Sequence, residues 1–190
     1  MRTRPRDAGS GGGECRRRGY TLIELVVTIV ILGLAGALVL PTVASAGTLR
    51  VHSAVRTVVS DLTFAQSDAL AYQSRRAVLF DVPANSYSVL GVTGAELDPQ
   101  TDVLYDPTRP GQKMVEDFSG QQFGDARLVS ADFDGDEVLI FDELGEPVMT
   151  LDGDTPGAGG QVTISGSGST FRISVEAFTG RISVERVDDP

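Results

Sequence analysis

Two hydrophobic periods divide the chain. Tyr20 to Leu40, YTLIELVVTIVILGLAGALVL, is 21 residues long, apolar all round, and broken by one charge, Glu24. Arg16-Arg17-Arg18-Gly19 precede it and Pro41 follows. A helix rises about 1.5 Å per residue, so roughly 20 residues reach across the ~30 Å of a bilayer's hydrocarbon core. From Leu49 the pattern changes. Val51, Val55, Val58, Leu62, Ala65, Ala69 and Tyr72 recur at alternating steps of 4 and 3, one apolar stripe along a helix. Arg50, Arg56, Asp61, Gln66 and Asp68 lie off the stripe. The two patterns together predict one helix from about Tyr20 to Gln73, greasy in its first half and amphipathic in its second. Pro41, which lacks an N–H, and Gly47 are expected to bend or loosen it.

After Arg75-Arg76 the period switches to two. Ala77–Val82 and Ser86–Val92 read as a hairpin around Pro83-Ala84-Asn85. Residues 94–112 are polar, hold three prolines and show no period, which predicts an excursion loop. Val115–Phe118 and Ala126–Val129 read as weak strands, and Glu137–Phe141 and Val148–Leu151 as stronger ones. Residues 152–160 read as a glycine-rich loop. Gln161–Ser165, Thr170–Ala177 and Arg181–Val187 close the chain, the last pair turning at Thr179-Gly180. A long helix followed by antiparallel strands is α+β, with the amphipathic half of the helix packed on the sheet.

Charge gives the chain a direction. The net is −10, but residues 1–19 hold six arginines against Asp7 and Glu14, and the rest holds 10 basic and 24 acidic residues. Basic residues ahead of an apolar span hold that end in the cytoplasm. The acidic domain is then expected in the periplasm, as a single-pass protein of the cytoplasmic (inner) membrane. An acidic surface argues against nucleic acid as a partner. The only cysteine is Cys15, so packing rather than disulfides must hold the domain.

Glu24 needs a reason. A carboxylate inside an apolar span costs about 2.5–3.5 kcal/mol on insertion scales and is a functional candidate by default. Three plainer readings stand beside a functional one. In an ordinary secretory signal, the arginines are the n-region and Ala44-Ser45-Ala46 the cleavage site before Gly47, releasing a secreted domain; the apolar run is long for that, and Glu24 goes unexplained. Arg17-Arg18-Gly19-Tyr20 partly matches a twin-arginine signal. A plain membrane anchor is the third.

Gly19-Tyr20-Thr21-Leu22-Ile23-Glu24, followed by the apolar run, resembles the prepilin signature of type IV pilins and type II secretion pseudopilins. The resemblance implies that prepilin peptidase cuts between Gly19 and Tyr20, that the new amino group of Tyr20 is N-methylated, and that Glu24 guides assembly. Tyr20 stands where the family usually has Phe, and Pro41 falls where many pilins kink. The body is similar to the general secretion pathway protein H and FimT-like group. The resembling parts are Leu62-x-x-Ala65-x-x-x-Ala69 before Arg75-Arg76-Ala77-Val78, Ile140-Phe141-x-x-x-Gly145, and Phe171-Arg172-Ile173-Ser174-Val175 with Thr179-Gly180-Arg181-Ile182. These imply a minor pseudopilin, or else a FimT-like minor type IV pilin. The division expected is a leader over 1–19, a transmembrane half-helix over 20–46 and a periplasmic domain over 47–190. Within that domain the amphipathic helix covers 48–74 and the β-domain 76–190. Partners implied are prepilin peptidase, membrane lipid and like subunits in a filament.

Signs of catalysis or of a cofactor are not found. His52, the single histidine, is expected on the surface. There is no GxSxG, no P-loop and no paired Cys or His ligands. Asp132, Asp134 and Asp136 alternate, with Glu143 at the twelfth position, in partial imitation of a calcium loop. Glu137 stands where such a loop needs glycine and a strand runs through its second half, so a solvated acidic turn is the preferred reading.

Overall fold

A computed structural model describes residues 19–187, and of residues 37–46 the backbone alone. The leader up to Arg18, the three C-terminal residues, and any side-chain role of Pro41 or of the Ala44-Ser45-Ala46 site lie outside the described residues. One helix, α1, runs Leu22–Tyr72, 51 residues. The chain divides between Pro41 and Thr42 into two compact units.

In the second unit, the predicted stripe is the buried face. Val51, Val58, Leu62, Ala65 and Ala69 are fully enclosed, joined by Ala54 and by Val55 at the margin. Each enclosed valine or leucine contributes about 1.5–3 kcal/mol through apolar area withdrawn from water. Tyr72 departs from expectation: it is 71% exposed. The helix ends there, two residues before the expected Ser74. Gln73 takes a left-handed φ of 48°, and the Ser74 N–H donates to the Ala69 carbonyl at 3.2 Å, a Schellman closure. Glycine usually fills that position. Here the Gln73 side chain offsets the strain by donating to the carbonyls of Leu70 and Glu143, both at 3.1 Å.

The strands are β1 Arg76–Asp81, β2 Ser86–Gly91, β3 Val115–Asp117, β4 Arg127–Phe133, β5 Val138–Phe141, β6 Pro147–Val148, β7 Gly159–Gly166, β8 Ser169–Glu176 and β9 Ile182–Val187. They form two antiparallel sheets rather than one, ordered β3-β2-β1-β5-β6 and β4-β7-β8-β9. The class is α+β, as expected. One core joins the α1 stripe to inward residues of both sheets, among them Phe80, Phe141, Ile164 and Ile173. A second, smaller core lies on the other face of the first sheet: Ala77, Leu90, Val103, Ile140 and Val148.

That second core explains the excursion. Residues 94–112 are not a free loop but a cover for the first sheet. Val103 is buried, Leu90 bridges Val103, and the Leu104 N–H donates to the Val89 carbonyl at 2.9 Å. The residues that do this are sparse among polar ones, so no period announces them. The glycine-rich loop is also shorter than read from sequence, because Gly159 and Gly160 open β7. A Cβ on Gly159, at φ 79°, would strike the Val175 carbonyl oxygen, so close strand approach requires glycine there. β6 is Pro147–Val148, so of the expected Val148–Leu151 only Val148 lies in a strand, while β4 extends to Phe133 past a register shift between Leu128 and Ser130.

Candidate functional site

The N-terminal segment begins with Gly19, Tyr20 and Thr21 ahead of the helix. Thr21 caps α1. Its Oγ1 accepts the Glu24 N–H at 3.3 Å, and its carbonyl accepts the Leu25 N–H at 3.2 Å. Thr21-x-x-Glu24 has capping-box spacing, with Glu24 at N3. The carboxylate therefore also suits the positive end of the helix dipole. Sequence reasoning missed this, although the spacing was there to read.

From Tyr20 to Gly36 every residue is exposed in the single chain. Tyr20 and Leu22 are both at 82%, and Ile23, Leu25, Ile29, Ile31 and Leu34 are all above half. A helix apolar on all sides is typical of one buried in an assembly or in a membrane. A Cβ on Gly33 or Gly36 meets no atom within 4 Å, so nothing within the described chain demands glycine at either place. Among the described residues no helix is long and apolar enough to cross a membrane. The described side chains of the apolar run stop at Gly36, and the remainder to Leu40 lies outside that set.

The other candidates are placed in the domain. Asp132, Asp134 and Asp136 do not converge on a cation. Asp132 Oδ1 accepts the Gly135 N–H at 3.0 Å, and Asp134 Oδ1 accepts the Ala158 N–H at 2.9 Å. No group of ligands fit for a metal occurs among the described residues. Glu143, the twelfth position, faces Arg75 Nε at 3.3 Å instead. His52 is not a free surface group. It is half-buried, its ring 4.8 Å from that of Phe171.

Two charged constellations escaped the sequence reading. Arg75, its side chain 12% exposed, ties the end of α1 to Glu143, to Asp154 and to the carbonyls of Leu151 and Gly153, both at 2.9 Å. Arg76 pairs with Asp68 at 2.5 Å, both side chains largely enclosed. The second constellation joins α1, the first sheet and the excursion. The Tyr87 hydroxyl donates to Asp61 Oδ2 at 2.7 Å. Arg109 bridges Asp106, at 2.5 Å, and Glu116, and both of these carboxylates are buried. Burial pushes the Asp61 carboxyl up to about 6 and the Tyr87 hydroxyl well above its ordinary range. Hydrogen bonds from Thr108, and then from Arg109, hold Asp106 down to about 2 despite its desolvation. Arg109 and Glu116 also border an open groove with Ser53, Thr57, Gln122 and Phe123, and the cluster reads as a joint between elements.

Comparison with known proteins locates one match in sequence and one in structure. Residues 15–40 match the model of the prokaryotic N-terminal methylation motif. No curated protein matches the sequence. The minor pseudopilin EpsH from the type 2 secretion system of Vibrio cholerae is similar in structure, with 12% identity and a TM-score of 0.48. The match covers 72% of this chain and 97% of that one. Gly19, Tyr20 and Glu24 all fall inside the stretch that matches this motif, at the start of a long helix that leads into an α+β domain of two antiparallel sheets.

Proposed function

We propose that this chain is a minor pseudopilin, a structural subunit of a type II secretion filament, and not an enzyme. The observation that carries the reading is the register of Gly19, Tyr20 and Glu24 inside the matched methylation motif, at the head of a helix whose residues 20–36 are exposed. The body motifs resemble both groups, so the preference for a pseudopilin over a FimT-like minor pilin rests on an acidic domain ill-suited to DNA.

In this reading Tyr20 to Leu40 spans the cytoplasmic membrane, with Arg16–Arg18 inside and the domain in the periplasm. Prepilin peptidase cuts after Gly19, and the freed amine of Tyr20 is methylated. In a bundle of like helices, Glu24 pairs with that amine on a neighbouring subunit or on its own. The pair offsets the cost of a lone carboxylate in lipid, where losing one partner of a buried pair costs about 3–5 kcal/mol. It also sets the axial register. Gly33 and Gly36, which no contact among the described residues requires, let neighbouring helices approach closely.

The capping role of Glu24 offers a competing account, and one variant separates the two. Glutamine serves a capping box as well as glutamate does. Glu24→Gln should keep the helix start and the cut but weaken incorporation into filaments. Normal incorporation of Glu24→Gln, measured by shearing and immunoblot, would leave capping as its whole role. N-terminal sequencing of the natural product tests the cut itself: a methylated Tyr20 is expected. A chain beginning at Gly47 would assign the segment to signal peptidase instead.

A further inference from the structure

Each sheet has two outermost strands, and three of the four are blunted. β3 has three residues and β6 two, while β4 carries a register shift between Leu128 and Ser130. Short and bulged edges discourage further pairing. β9 is unlike them. Its six residues keep an unbroken register against β8, from Thr170↔Val187 to Val175↔Ile182, with no proline, lysine or bulge inside.

The phase of β9 is set at its start. The Gly180 N–H donates to the Glu176 carbonyl, and the Glu176 N–H donates to the Arg181 carbonyl, both at 3.0 Å. Counting on from that bulge, Ser183, Glu185 and Val187 bond towards β8. Ile182 and Val184 turn their N–H and C=O groups to the open side. Among the described residues no strand pairs with that side.

The same alternation places the side chains of Ile182, Val184 and Arg186 on the face towards α1. Ile182 packs on the core, but Val184 is 46% exposed. Between β9 and the helix lies a groove of about 480 Å³. Val55, Val59, Phe171 and Val184 form its apolar wall, with Arg56 and Arg186 beside them. Arg56 is exposed and has no ion-pair partner among the described residues. A cation beside an apolar groove, on a domain otherwise strongly acidic, favours a negatively charged occupant. A second copy could pair here only through its own β9 across a two-fold, and the side chains that strand turns to this face, Ile182, Val184 and Arg186, include no carboxylate to meet Arg56.

We propose that β9 and its groove receive an extended acidic segment of a partner protein by strand addition. The partner's backbone pairs with Ile182 and Val184, its apolar side chains enter the groove at alternate positions, and a carboxylate meets Arg56. This is independent of how the N-terminal segment is processed.

The test uses the full chain in detergent and fluorescence anisotropy of a labelled, end-blocked peptide of alternating valine and aspartate, beside its lysine counterpart. The aspartate peptide should bind, and the lysine peptide at least tenfold more weakly. Val184→Pro removes an outward N–H that makes no internal bond, which an edge strand tolerates. It should keep the thermal midpoint and lose the peptide. Arg56→Glu, an exposed helix position, should weaken the aspartate peptide tenfold and favour the lysine one. The proposal is overturned by no binding at millimolar peptide, by equal binding of the two peptides, or by wild-type binding in Arg56→Glu or in folded Val184→Pro. Concentration-dependent dimers that Val184→Pro abolishes would also overturn it, since the groove would then belong to a second copy.

Discussion

Asp61 is the most direct handle on the domain's energetics. It lies on α1 beside Tyr87, and Glu116, Asp106 and Arg109 face it from β3 and the excursion. Burial is the largest cause of its raised pKa, the Tyr87 hydrogen bond opposes it, and the two nearby carboxylates add to it. A rise from 3.8 to about 6 is roughly two units, or at most ~3 kcal/mol at about 1.4 kcal/mol per unit. Asp61 keeps some exposure to solvent, which leaves about 1–2 kcal/mol after screening. Because the folded pKa is the higher one, the folded state favours the proton. The associated stability is fully present below 3.8 and is lost as pH rises through about 6. Asp106, held at about 2, has the opposite sign and acts only in stronger acid. Asp61→Asn keeps an acceptor for Tyr87 and removes the charge. It should match the wild type near about pH 4 and exceed it by about 1–2 kcal/mol near about pH 7.5. Urea unfolding of the full chain in detergent at both pH values, followed by circular dichroism, measures this. An equal pH dependence in the two proteins would refute the assignment of the raised pKa to Asp61.

Other substitutions probe other joints. Arg109→Met strands Asp106 and Glu116 as buried carboxylates facing Asp61, and should lower stability by about 3–5 kcal/mol and admit protease to residues 94–112. Arg76→Ala leaves Asp68 unpaired in a mostly enclosed place, at about 2–3 kcal/mol by urea unfolding, and Arg76→Lys should recover only part of that. Gly159→Ala places a Cβ against the Val175 carbonyl at a left-handed φ, and should lower the thermal midpoint more than Gly111→Ala, where nothing stands within 4 Å.

The N-terminal motif was legible because its signals are local. Gly19, Tyr20, Glu24 and the apolar run sit within two dozen residues, and the capping box that sequence reading overlooked is just as local. The α1 stripe was equally plain, since a period of 3.6 is written along one element; Tyr72 failed only because the helix ended beneath it. The hairpin of β1 and β2 and the turn before β9 likewise announced themselves through alternation and turn residues.

What sequence could not supply are relations between distant residues. Asp61 looked like a polar position off the stripe, and only the approach of Tyr87, Glu116 and Arg109 makes it a buried acid. Residues 94–112 looked like a loop, because a cover on a sheet needs few apolar residues and no period. The separation into two sheets, the pairing of Arg76 with Asp68, and the open side of β9 depend on which strands meet. Local sequence therefore determined the elements and the N-terminal motif, through backbone geometry and turn chemistry. Tertiary structure decided which charges are desolvated and which strand edge is left unpaired, because both depend on neighbours brought together only by folding.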